Sequence, residues 1–93
     1  MSWSTPQSGL FVAHGQAVQV TYDFGGTYRG PQYTVAKLDR SSGGSSGEDK
    51  FLIVQWNAVV NRPTFGGYWY YALGVSNPSS SDVWYHLEGG GVT

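Results

Sequence analysis

No stretch of this chain repeats its apolar residues at the three- and four-residue spacing of a helix face, and that constrains the fold most. Instead, runs of β-branched and aromatic residues alternate with clusters of Gly, Pro, Ser and Asn, the punctuation of strands and turns. The pattern predicts strands near Gln16–Phe24, Gln32–Arg40, Lys50–Val60, Tyr68–Asn77 and Val83–Glu88. A shorter one at Leu10–Ala13 would form a hairpin with the first through His14-Gly15. The fold class is all-β. Short connections favour antiparallel neighbours, so the expected architecture is a single antiparallel sheet of five to six strands in meander order, with long Gly-rich loops.

Alternation sorts the faces. Val18, Val20, Tyr22 and Phe24 oppose Ala17, Gln19, Thr21 and Asp23, the pattern of a half-buried strand. In the Phe51–Val60 run, Leu52, Val54, Trp56, Ala58 and Val60 read as one apolar face. The other face begins with Phe51 and Ile53 and ends with the amides of Gln55 and Asn57 before Val59. This strand is expected to be central, with small Ala72 and Gly74 of the next strand beside those amides, in a shallow depression flanked by Tyr68 and Tyr70. In a meander, Gly25–Pro31 and Asn61–Gly67 share one end of the sheet. His14-Gly15, the linker-like Ser41–Asp49 and Pro78–Asp82 share the other. Trp56, Trp69 and Trp84 are expected to pack the sheet, and Gly89-Gly90-Gly91 to form a flexible tail.

The 93 residues make one domain, spanning 1–93 and expected to bury roughly two-thirds of its unfolded surface. Aromatic residues make up 16% and charged residues only 12%, so Tyr and Trp exceed what a small core needs. Such rings carry an apolar body and a polar tip, which suits neutral polar ligands. With a net charge of −1 and dispersed Lys and Arg, the chain has no basic footprint for nucleic acid and no polybasic patch for a membrane. No apolar run is long enough to span a bilayer. Met1–Pro6 lacks the features of a secretory signal, so the expectation is a cytoplasmic protein or one exported without a classical signal peptide.

Chemistry is not expected. There is no Cys for thiolate catalysis or zinc, and His14 and His86 are too few and too separated to define a metal site. No phosphate-binding Gly loop or nucleophile elbow occurs, and no paired carboxylates suited to glycoside hydrolysis stand out. No cofactor is implied. The candidate binding residues are Asp23, Tyr28, Arg29, Asn57, Asn61, Arg62 and Tyr70. A sugar needs a carboxylate or amide for adjacent hydroxyls, a donor for hydroxyl or ring oxygens, and a ring against its C–H face. The same residues could equally form an Asp23–Arg29 ion pair in a hairpin loop, or line a protein–protein interface without any sugar.

The segments Tyr22-Asp23-Phe24-Gly25-Gly26-Thr27-Tyr28-Arg29-Gly30 and Val54-Gln55-Trp56-Asn57, with the size and the absence of Cys, give the chain a resemblance along its whole length. It resembles the small α-galactosyl-binding lectins of mushroom fruiting bodies, of the Lyophyllum decastes type. That resemblance implies an antiparallel β-fold, a homodimer, and recognition of terminal α-linked galactose such as Galα1-4Gal on glycolipids or glycoproteins. It assigns no individual contact residue.

Overall fold

The computed structural model describes residues 4–42 and 49–91. The described residues form six strands: β1 (Ser4–Val12), β2 (Ala17–Tyr22), β3 (Gln32–Ser42), β4 (Ile53–Arg62), β5 (Tyr68–Ser76) and β6 (Asp82–Gly91). A single 3-10 turn, Pro63–Phe65, follows β4. The all-β class holds, but the single meander sheet does not. The strands form two three-stranded antiparallel sheets, ordered β1-β6-β3 and β2-β5-β4. Of the pairings a meander requires, only β4–β5 occurs. The predicted hairpin at His14-Gly15 is instead a turn that carries the chain from one sheet to the other. Gln16 N–H bonds the Ala13 carbonyl there at 3.1 Å, with Gly15 at φ +73.

The physical reason is burial. One sheet in so small a chain covers only one side of its apolar residues, whereas two stacked sheets bury both inner faces. Val20 and Tyr22 of β2 and Tyr71, Leu73 and Val75 of β5 meet Val12 of β1 and Val83, Tyr85 and Leu87 of β6 in one core. Leu10, Ala36, Leu38 and Val54 close its margins. A buried hydrogen bond of 2.8 Å joins the Tyr22 hydroxyl to Thr34 Oγ1, linking β2 of one sheet to β3 of the other. Burial pushes the Tyr22 phenol above its ordinary pKa of 10.0, against the Thr34 bond, which lowers it.

One end of the sandwich is locked by Asn77. Its amide donates to the carbonyls of Val12 (3.1 Å) and Ser81 (2.8 Å), and its oxygen accepts from the Ser79 N–H (3.1 Å) and hydroxyl (2.6 Å). Its backbone exchanges further bonds with Gly15 and Gln16. Every polar group of this buried side chain is thus occupied, as low-dielectric burial demands. Of the three connections expected together at this end, His14-Gly15 and Pro78–Asp82 do meet, the His14 N–H bonding Asp82 Oδ1 at 2.9 Å, while most of Ser41–Asp49 lies outside the described residues. The opposite end gathers the 23–31 and 61–67 connections, where Trp69 N–H bonds the Gly26 carbonyl at 2.9 Å.

Two sequence expectations fail for local reasons. The pairing of β4 with β5 shifts between Val54 and Trp56, a bulge at Gln55. One extra residue reverses which face each later side chain occupies. Trp56, Ala58 and Val60 therefore join the outer face, opposite Gly74, Ala72 and Tyr70, while Asn57, Val59 and Asn61 turn to the inner one. The Trp56 indole lies so close over Gly74 that any Cβ there would collide with it. At 44% exposed, Trp56 is a surface residue and β4 is an edge strand, not a central one. The expected glycine tail is likewise strand: Gly89 and Gly90 are buried within β6, and a Cβ on Gly89 would strike the Tyr33 carbonyl oxygen of β3. Close backbone approach, not mobility, accounts for the glycine.

Four strands are edges, and they are guarded unequally. β1 contains Pro6 and two register shifts, β2 is only six residues long, and β3 carries Lys37, Asp39 and Arg40. β4 has its bulge but no charge between Phe51 and Asn61. Charges, prolines and bulges are what keep edges from pairing with other chains.

Candidate binding site

At the open end, the outer face of the second sheet forms a depression of about 810 Å³. Its floor and walls come from Gln19 and Thr21 of β2, Asp23 just beyond it, Tyr68 and Tyr70 of β5, and Arg62 of β4. Pro6 and Gln7 of β1 complete the rim. The outward positions on β2 are polar because alternation puts Val20 and Tyr22 inward. Beyond Tyr70 the outer face of β5 continues with Ala72 and Gly74, where the Trp56 indole covers Gly74; the expected depression beside the Asn57 amide is absent there, since Asn57 lies opposite Leu73.

Asp23 is held firmly. Its Oδ2 accepts the Tyr68 hydroxyl at 2.7 Å and its Oδ1 accepts the Gly25 N–H at 2.9 Å. That bond to Asp23 raises the Tyr68 pKa above the ordinary 10.0, so the phenol keeps its proton. The Tyr68 ring rests on Gly26, whose φ of +84 and lack of a Cβ make the contact possible. The Arg62 guanidinium lies 5.2 Å from the Tyr70 ring centroid, a cation–π contact. Arg62 has no ion-pair partner among the described residues. The site therefore presents an anchored carboxylate, a phenol oxygen with spare lone pairs, a guanidinium and one tyrosine ring within a single concavity.

Gln7 arrives from the other sheet. Its Nε2 donates to the Thr21 carbonyl at 2.9 Å, leaving Oε1 as an acceptor at the rim. Register shifts lie on either side of Gln7, with Gly9 at φ +68, while Ser4 and Gln7 stay paired with Gly89 and Leu87 of β6; only the Gln7 side chain crosses to β2. Sequence reading missed Gln7 because Pro6 and Gly9 obscured the strand. It also gave no reason to select Gln19 and Thr21, ordinary outward positions until β1 is placed beside them.

The seven sequence-selected residues do not share one surface. Asp23, Arg62 and Tyr70 line this depression. Asn57 lines a second, smaller slot of about 210 Å³ on the inner side of the same sheet. Tyr28 stands near that inner side, its ring 5.1 Å from Trp69 and 6.5 Å from Tyr71. Asn61 pairs with Trp69 on β5, and so also faces inward. Arg29 does not pair with Asp23: its guanidinium lies 5.0 Å from the Phe24 ring, and its N–H bonds the Tyr71 hydroxyl at 3.1 Å. The Gln55 bulge and the inward turn of the 27–31 segment separate these residues from the first three.

On the outer face of the first sheet, His86 sits between two carboxylates, with Nδ1 2.6 Å from Asp39 and Nε2 2.6 Å from Glu88. These bonds, Glu88 first and Asp39 second, raise its pKa above the ordinary 6.5. Each nitrogen is occupied by a different carboxylate, and no group of three acidic, His or Cys side chains among the described residues is disposed to hold a metal ion. Phe11, Trp84 and Arg40 cover the adjoining surface, the guanidinium 5.1 Å from the Trp84 ring and the Phe11 ring 5.0 Å from it. The indole is thus flanked already and offers no open platform. No protein-family model, no curated protein and no solved structure matches this chain.

Proposed function

We propose that the protein is a non-catalytic carbohydrate-binding protein whose ligand is a neutral glycan ending in α-linked galactose, of the Galα1-4Gal kind. The observation that carries this reading is the convergence of Asp23, Tyr68, Arg62 and Tyr70 in one roomy concavity. Asp23 accepts from a pair of adjacent sugar hydroxyls through the lone pairs that Tyr68 and Gly25 leave free. Arg62 donates to hydroxyl or ring oxygens, and its stacking on Tyr70 fixes the direction in which it does so. Tyr70 offers its remaining face to the apolar side of the pyranose. Gln7 and Gln19 supply amides at the rim. The preference for galactose comes from the resemblance described above.

A single such site is weak, because a monosaccharide offers few atoms and is well solvated beforehand. Dimerisation makes useful avidity accessible, since the second contact is then intramolecular. The free edge of β4, uncharged from Ile53 to Asn61 and with Ile53, Trp56 and Val59 exposed, is the natural place for two copies to meet. The same edge favours one rival, a β-sheet interaction protein with no sugar ligand.

A glycan array decides between them. Retention of galactose-terminated glycans, lost in Asp23→Asn with little change in melting temperature, supports the lectin. Silence across the array refutes it.

A further inference from the structure

The inner face of the second sheet is not fully covered. Beyond the Gln55 bulge, Asn57 and Val59 point to the same side as the core residues Leu73 and Tyr71, yet Asn57 is exposed and Val59 is 44% exposed. The first sheet does not reach them. Between them and the start of β3 lies the 210 Å³ slot, walled by Tyr22, Pro31, Gln32, Asn57, Val59 and Tyr71.

Its walls are fixed, and their polar groups divide cleanly. The Tyr71 hydroxyl donates to the Gly30 carbonyl at 2.7 Å and accepts from the Arg29 N–H, while the Tyr22 hydroxyl is bonded to Thr34. Both rings are therefore locked with satisfied hydroxyls and, at 6% and 4% exposed, show the slot only a narrow strip of carbon surface. The two rings stack at 5.3 Å with 16° between their planes. Gln32 donates Nε2 to the Arg29 carbonyl at 3.3 Å, which leaves its Oε1 free to accept. The Asn57 amide has no hydrogen-bond partner among the described residues, so it keeps both a donor and an acceptor. Tyr28, exposed and nearly parallel to Tyr71, lengthens the aromatic wall at the mouth.

An apolar, aromatic interior with amide heads at the lip matches a ring that has one hydrocarbon face and a polar circumference. We propose that this slot is a second saccharide site, taking one pyranose unit of a neutral glycan, so that each chain is bivalent without a partner. This rests on the carbohydrate-binding reading. The two sites lie on opposite faces of the β2-β5-β4 sheet, so bound glycan ends point away from each other, and one chain bridges two glycans.

The test is an amide-shift NMR titration of the whole chain with methyl α-galactoside, on the native protein, Asn57→Ala and Asp23→Asn. Asn57 is exposed, so its truncation leaves the fold intact. The expected result is two separate groups of saturating shifts, one around Gln19, Thr21 and Asp23 and one around Gln32, Asn57 and Val59. Asn57→Ala removes the second group alone and Asp23→Asn the first alone. Shifts confined to the first group, abolished by Asp23→Asn and untouched by Asn57→Ala, overturn the second site and leave the lectin reading standing. No shifts in either group, with no glycan retained on the array, overturn both.

Discussion

Removing one hydroxyl, in Tyr22→Phe, tests the two-sheet architecture at its centre. Tyr22 is 6% and Thr34 7% exposed, and their 2.8 Å bond joins opposite sheets. The substitution leaves the ring packing intact but strands Thr34 Oγ1 in the interior. An unsatisfied buried hydroxyl costs about 1–3 kcal/mol. In a domain of this size, each kcal/mol lowers the melting temperature by roughly 4–8 °C. Replacing Thr34 by Val in the same chain removes the stranded group, so Tyr22→Phe/Thr34→Val is more stable than the sum of the single changes allows, by on the order of 1 kcal/mol. Urea unfolding of the four proteins, with a common denaturant slope, measures this directly. If Tyr22→Phe unfolds at the native midpoint, or if the two changes simply add, the hydroxyls do not meet across the sandwich.

Three further outcomes follow from particular contacts. His86 has a folded pKa raised above 6.5, so its stabilising contribution is complete below that pH and fades as pH climbs through the raised value. The urea midpoint of the native protein, less that of His86→Gln, should shrink from pH 6 to pH 9, and a constant difference would count against the paired imidazolium. Gly89→Ala drives a methyl into the Tyr33 carbonyl and should cost about 1–3 kcal/mol by overpacking; unaltered thermal unfolding would show that β3 and β6 are not so close. Gly26→Ala forces a left-handed φ on alanine and pushes the Tyr68 ring off its seat, so affinity for methyl α-galactoside should fall several-fold in calorimetric titration; unchanged affinity would remove Tyr68 from the site.

Strand positions were legible because each strand's own alternation records them. Val18, Val20 and Tyr22 point inward as their spacing implies. Strand order was not legible, because nothing local to β2 tells that it pairs with β5 rather than β3. The Gln55 bulge was equally silent: alternation continues on both sides of it, and only the pairing with Gly74 reveals the slipped register. The candidate site suffered from the same blindness. Asp23, Arg62 and Tyr70 were selected for their chemistry and do converge, whereas Asn57 was selected with them and faces the other side. Gln7 belongs to the rim only because its amide crosses to the Thr21 carbonyl of the other sheet, a fact set by tertiary packing.

Strand order also governs how this molecule can be made. The middle strand of one sheet follows the other five described strands in the chain, so β1 and β3 emerge from a ribosome without their sheet partner until β6 arrives. Sheets closed by distant segments assemble slowly and leave apolar edges open while they wait. Chains cut before β6 therefore lose the strand that holds one layer together, not a tail, and leave Leu10, Val12 and Leu38 without the partner that covers them.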